Sequence, residues 1–166
     1  MTSRGFTLVE LIVVIAIIAT LSTIATLSWN TMAMKSAVEG QIKTIHADLM
    51  SVRLEALYSK RNRSVVVSGK DFKIYSSAVI TGTPVSSRTF KYAFKHNFGS
   101  SNSVTFDTSG MANTDQGTVC INAFNETTLF KTTEASVDSL VISQARINLG
   151  KRPEGGTCDT SGVTQK

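Results

Sequence analysis

A single charged side chain, the carboxylate of Glu10, lies near the start of the longest apolar stretch in the chain, which runs from Phe6 to Leu27. A charged side chain in such a stretch is costly unless it has a partner, and in membrane helices such residues are usually functional. If the chain were cut before Phe6, the new α-amino group would be a cation close to Glu10. In a bundle of staggered helices, Glu10 of one copy could pair with the amine of its neighbour, and a low dielectric would strengthen that pairing. One residue would then set the axial register of an assembly.

The apolar stretch is long enough to cross a membrane. At about 1.5 Å rise per residue, its length matches the roughly 30 Å hydrocarbon core of a bilayer. Only a short leader, Met1 to Gly5, precedes it, and Arg4 is the charged residue of that leader. An ordinary secretory signal is cleaved after its apolar core, which here would remove the anchor. A plain signal anchor oriented by Arg4 is the alternative, but it gives Glu10 no role.

The sequence from Gly5 to Glu10, GFTLVE, followed by the apolar run from Leu11 to Ile18, resembles the class III signal of type IV pilins and pseudopilins. In that family a prepilin peptidase cleaves after the Gly and methylates the new N-terminal Phe. The resemblance therefore implies cleavage after Gly5, methylation of Phe6 and a role in assembly for Glu10.

The same resemblance implies a division of the chain into a leader (1–5), a transmembrane and assembly helix (6–28) and a periplasmic domain (29–166). It implies a single-pass inner-membrane protein that becomes fibre-associated after assembly. Its expected partners are other pilin or pseudopilin subunits, the prepilin peptidase and inner-membrane lipid. Leu27 stands where many major pilins have Pro, so the anchor helix is expected to be less kinked than theirs. Ala19 also differs, because many members have Gly there.

Hydrophobic residues beyond the apolar stretch recur at steps of three and four, which predicts that the helix continues from about Thr7 to about Lys60. They are Met34, Val38, Ile42, Ile45, Leu49, Val52 and Ala56. After that point, short alternating runs separated by turn residues predict antiparallel strands. The predicted strands are 64–68, 72–76, 89–94, 103–106, 118–122, 139–143 and 146–149. The fold class is therefore α+β and pilin-like, with the helix covering one antiparallel sheet and a loose tail from Pro153 to Lys166.

The two cysteines, Cys120 and Cys158, allow two interpretations. An even count favours a disulfide if the domain lies outside the inner membrane, whereas in the cytosol they would be two unrelated thiols. Closing the loop between them would stabilise the domain by about 4 kcal/mol on the chain-entropy model. The expected role of the bond is to fix the C-terminal tail to the sheet.

The sequence contains no recognisable catalytic centre. Its two histidines, His46 and His96, lie on different predicted elements. His46 is next in sequence to a residue of the hydrophobic stripe, so we expect it at the edge of that stripe. Zinc-spaced cysteines, a nucleophile elbow and a phosphate-binding loop are all missing from the sequence. We therefore predict a protein that is not an enzyme and that needs neither a metal nor a cofactor.

Several later segments resemble the GspH/FimT group of pilin-like proteins. Residues Ser51 to Leu57 and Arg61 to Val67 resemble the helix end and first strand of that group, and Val104 to Gly110 and Leu140 to Ser143 resemble later strands. Its members are minor pilins of the FimT/FimU kind or the minor pseudopilin of type II secretion. The resemblance implies a structural subunit that primes or caps a type IV pilus or a type II secretion pseudopilus. A bitopic protein that never assembles is a further alternative.

The chain is mildly basic, with 17 Lys and Arg against 12 Asp and Glu, which by itself favours a solvated surface over a nucleic-acid site. Some FimT-like pilins, however, bind DNA through a C-terminal G-R-x-R motif, and the segment from Gly150 to Pro153, GKRP, is similar to it. The resemblance implies an alternative function, a DNA-binding minor pilin for natural transformation. Lys151, Arg152 and Arg146 would then contact phosphates, for which clustered cations suffice. A solvated loop is the competing interpretation.

Overall fold

The computed structural model describes residues 6–98, 102–114, 116–124 and 134–166, with the side chains of 24–28 excepted. The predicted leader, including Gly5, lies outside the described residues. The chain divides into two compact units, Met1–Met34 and Lys35–Lys166. Within the described part of the chain, no helix has the combination of length and apolar character that a membrane span requires.

One helix, α1, spans Leu8–Ser59, which confirms the predicted long helix to within a residue at each end. In the N-terminal unit its apolar side chains are exposed, from Leu8 at 74% to Leu21 at 61%. In the second unit the predicted stripe from Val38 to Ala56 is buried, because this face of the helix packs into the hydrophobic core.

The described residues after α1 form two antiparallel sheets instead of the single predicted sheet. The first has the strand order β3-β2-β1-β5 and the second the order β4-β6-β7-β8-β9. The strands are β1 (Arg63–Ser68), β2 (Asp71–Tyr75), β3 (Ser86–Thr89), β4 (Ala93–Asn97), β5 (Ser103–Phe106), β6 (Gly117–Asn122), β7 (Ser139–Ile142), β8 (Ile147–Lys151) and β9 (Thr164–Gln165). Residues of both sheets and the buried stripe of α1 belong to one core cluster.

The predicted strand 89–94 is wrong, because the chain changes sheets within it. It leaves the first sheet at Thr89 and enters the second at Ala93. Gln41 of α1 holds the crossing point, since its Nε2 donates to the Tyr92 carbonyl at 2.8 Å and its Oε1 accepts from the Tyr92 N–H at 3.1 Å. The alternating aromatic residues that suggested a strand instead pack on the core, where the Phe90 and Phe94 rings meet edge to face at 5.4 Å.

The expectation of a loose C-terminal tail is also wrong. Residues Thr164–Gln165 form β9, which pairs with β8 at Gly150 and Lys151. Gly150 is needed at this contact, because a Cβ there would collide with the side chain of Val163. The tail is therefore part of the second sheet.

β3 lies at an outer edge of the first sheet. All four of its residues are exposed, and the strand pairs only with β2 among the described residues. The Arg88 guanidinium contacts the Asp48 carboxylate of α1 at 2.8 Å and lies 5.8 Å from the centre of the Phe90 ring. The charge at this edge is thus held in place.

Candidate functional site

The start of α1 is a capping box formed by Thr7 and Glu10. The Glu10 N–H donates to Thr7 Oγ1 at 3.3 Å, and the Thr7 N–H donates to Glu10 Oε2 at 3.2 Å. This reciprocal arrangement satisfies two N–H groups that a helix N-terminus otherwise leaves without partners. The spacing T-x-x-E is a readable signal of a helix start, but the sequence analysis assigned Glu10 to assembly alone.

The surroundings of Glu10 are apolar and exposed. Phe6 is 83% exposed, Val9 is 68% exposed and Leu11 is 60% exposed. Among the described residues, Glu10 takes part in no ion pair. A carboxylate in such a patch can meet a cation when a second helix covers the patch.

The predicted Cys120–Cys158 disulfide is present, with the Cα atoms 6.0 Å apart. Cys120 is fully buried in β6 and forms a small cluster with Val141 and Val163. Beside the bond, the Thr118 hydroxyl donates to the Cys158 carbonyl at 2.8 Å. The disulfide fixes the tail to the second sheet, as the sequence analysis expected.

Asp138, which precedes β7, is a fully buried carboxylate with contacts to two basic side chains and one backbone N–H. Lys151 Nζ lies 3.1 Å from Oδ2, while the Arg152 N–H and Nε lie 3.0 Å and 3.7 Å from Oδ1. Arg152 Nη2 also donates to the Ile121 carbonyl at 2.6 Å. Burial lowers the pKa of Arg152 to about 10, and the negative charge of Asp138 opposes that shift. The cluster is an internal ion pair.

This geometry corrects the predicted DNA-binding set. Arg152 is fully buried, so it cannot contact a phosphate in solution, and Lys151 is held against Asp138. The G-K-R-P segment is not a solvated loop either, because Gly150 and Lys151 belong to β8. Of the three predicted cations, Arg146 is exposed and is apart from this ion pair.

The sequence analysis missed Asp138 because an aspartate next to a predicted turn is unremarkable. A readable signal was present, since Asp138 directly precedes the uncharged run Ser139–Ile142, all of which is buried. An acid beside a buried strand needs a cation, and the next strand along the chain ends at Lys151, which Arg152 follows.

The two histidines have structural contacts. The His46 ring Nε2 lies 3.1 Å from the Ile147 carbonyl, which joins α1 to β8. The His96 ring stacks on Phe98 with centroids 5.2 Å apart, and burial lowers its pKa. No group of side chains suited to a metal ion occurs among the residues that the structure describes.

Comparison with known proteins adds a motif and a fold. Residues 1–26 match the family model described as the prokaryotic N-terminal methylation motif. A crystal structure of the type IV minor pilin FimU of Pseudomonas aeruginosa (strain PAO1, space group P21) matches with a TM-score of 0.50 and 23% identity, covering 80% of this chain and 93% of that chain. This chain has a pilin fold. A second FimU crystal form, in space group P65, gives a TM-score of 0.48 and 24% identity over 79% of this chain and 97% of that chain.

The predicted resemblance to type IV pilin-like proteins is thus confirmed in the N-terminal motif and in the fold. The α+β fold class is confirmed as well. No curated protein matches the chain.

Proposed function

We propose that this chain is a minor pilin or pseudopilin, a structural subunit without enzymatic activity. It is anchored in the inner membrane by the first part of α1 and carries a periplasmic domain. It primes or caps a type IV pilus or a type II secretion pseudopilus. Its partners are other subunits of the fibre and the prepilin peptidase.

One observation carries the proposal. The methylation motif at residues 1–26 overlaps the first part of a 52-residue helix, whose N-terminal side chains are apolar and exposed. Such side chains are unstable in water unless lipid or other helices cover them. A processed pilin meets both conditions in turn, first in the membrane and then in the fibre.

Processing between Gly5 and Phe6 is the first test. We expect the intact mass of membrane-extracted protein to show loss of residues 1–5 and addition of one methyl group, since the motif places a small residue before the apolar helix. The same chain from cells that lack the peptidase is the control and should keep its leader. A chain that begins at Met1 in cells containing the peptidase would refute the proposal.

The position in the fibre is a second test. We expect copies labelled at an exposed residue of the second unit to lie at fibre ends, and deletion of the gene to lower the number of fibres several-fold with little change in their length. Initiation, and not elongation, limits the number of fibres when a priming subunit is absent. Electron microscopy of labelled fibres gives both quantities. Label spread evenly along the fibre would identify a major subunit instead.

The DNA-binding alternative retains only Arg146 as an exposed cation of the predicted set, so we place it second. We expect the full chain in detergent to bind duplex DNA weakly or not at all at about 50 mM salt, because affinity for DNA scales with the number of phosphates neutralised. A gel-shift assay measures this, with Arg61→Gln as the matched charge control for Arg146→Gln. Tight, salt-sensitive binding that Arg146→Gln abolishes and Arg61→Gln does not would reinstate the alternative.

A further inference from the structure

A polar cleft of about 390 Å³ lies on the outer face of the second sheet. Val141 of β7 and its register partner Asn148 of β8 lie at its base. The turn after β7, the residue before β6 and the tail complete the lining, with Ser143, Arg146, Gln116, Thr160, Ser161 and Gln165. The volume is within the range of small-molecule sites, about 300–1,000 Å³.

The hydrogen bonds inside the lining leave the NH₂ groups of both glutamines as donors for a ligand. Thr160 Oγ1 donates to Gln116 Oε1 at 2.8 Å, and Asn148 Nδ2 donates to Gln165 Oε1 at 2.8 Å. Both glutamine carbonyl oxygens therefore have a protein partner. Among the described residues, neither glutamine NH₂ group has an acceptor, so both can donate to a ligand.

The charges around the cleft also favour a ligand that accepts hydrogen bonds and is negatively charged. Arg146 is the charged residue in the lining, and it takes part in no ion pair between described residues. The nearby Asp159 carboxylate accepts from Thr157, Ser161 and Gly162, so its oxygens are satisfied locally. A guanidinium beside amide donors is suited to a carboxylate, which it can bind with two parallel hydrogen bonds.

We propose that this cleft binds an acidic sugar. The carboxylate of a hexuronate would pair with Arg146, and the glutamine amides and the hydroxyls of Ser143 and Thr160 would bind the ring hydroxyls. A nucleic acid fits the cleft less well, since tracking a phosphate backbone needs a row of cations and the lining provides one. The disulfide and β9 hold the tail side of the cleft in position.

The test is a titration of the isotope-labelled full chain in detergent with glucuronate, followed by amide chemical shifts. We expect saturable shifts at 143–148 and 160–165, with a dissociation constant in the millimolar range. Glucose, which lacks the carboxylate, should bind about tenfold more weakly. Arg146→Gln should weaken glucuronate binding by about tenfold, whereas Arg61→Gln, an equal change of charge elsewhere on an exposed surface, should leave it unchanged.

Several outcomes would overturn the proposal. Equal shifts with glucuronate and glucose would remove the role of Arg146, and inorganic phosphate binding as tightly as glucuronate would reduce the cleft to a general anion site. A single-stranded DNA oligonucleotide could instead shift amides around both Arg146 and Arg61, with binding weakened equally by Arg146→Gln and Arg61→Gln. That result would identify the ligand as a polyanion and not a sugar. We expect Arg146→Gln to keep the wild-type thermal melt, because the Arg146 side chain has no ion-pair partner among the described residues.

Discussion

A Glu10→Gln chain is expected to fold normally and to fail in assembly, with incorporation into fibres reduced roughly 100-fold. The amide keeps the shape of the carboxylate and can still accept from the Thr7 N–H, so the capping box survives. What it loses is the negative charge that we propose pairs with the N-terminal amine of a neighbouring subunit. Leaving that amine buried and unpaired costs about 3 kcal/mol or more, which corresponds to the stated factor.

The comparison of two variants separates assembly from helix capping. Glu10→Ala removes the charge and the bond from the Thr7 N–H, whereas Thr7→Ala removes the bond to the Thr7 hydroxyl and keeps the charge. Loss of a cap costs about 1 kcal/mol. We therefore expect Thr7→Ala to reduce incorporation far less than Glu10→Gln, as measured by the ratio of variant to wild-type subunit in purified fibres. Equal incorporation of Glu10→Gln and wild type would refute the charge-pairing role.

Asp138→Asn is expected to destabilise the domain by about 3–5 kcal/mol, because it removes a fully buried negative charge that contacts the buried Arg152. The matched control is Asp48→Asn, which breaks the partly exposed pair with Arg88 and should cost under about 1 kcal/mol. Urea unfolding of the full chain in detergent, monitored by the loss of sheet signal, gives both values. The pH should be the same for both variants.

A double variant makes this second prediction sharper. Asp138→Leu combined with Arg152→Met replaces the ion pair with apolar groups and should recover much of the lost stability, since it removes both buried charges together. Equal destabilisation by the Asp138 and Asp48 variants would mean that the buried cluster contributes little to stability.

The features that the sequence predicted well are those set by local periodicity. The spacing of Val38, Ile42 and Ile45 identified the buried face of α1, and a polar cluster marked its end. The disulfide was also predicted, on the condition that the domain lies outside the cytosol, because two cysteines allow one pairing.

The features that escaped prediction depend on tertiary contacts. Alternation at Phe90, Tyr92 and Phe94 was typical of a strand, yet hydrogen bonds from Gln41 place the crossover between sheets at this point. The polar composition of the tail suggested mobility, but the disulfide and the pairing with Gly150 order it. Local sequence carries no information on either partner.

The burial of Arg152, one residue of the candidate DNA site, escaped prediction for a related reason. A cation in a short motif has the same sequence signature whether it faces solvent or a buried acid. Arg152 follows a strand whose partner strand is preceded by Asp138, and only the register of β7 with β8 brings them together. The capping role of Glu10, in contrast, was readable from the sequence, since T-x-x-E is a local pattern.

The exposed edge at β3 has a consequence for solubility at high local concentration, the condition that a fibre subunit meets in the membrane. An unpaired strand edge can recruit another strand and begin aggregation. β3 is four residues long, consists of Ser86, Ser87, Arg88 and Thr89, and has its one charge fixed by Asp48. Short polar edges with a fixed cation resist edge-to-edge pairing. This edge of the first sheet can therefore be crowded against neighbouring molecules without acting as a template for misassembly.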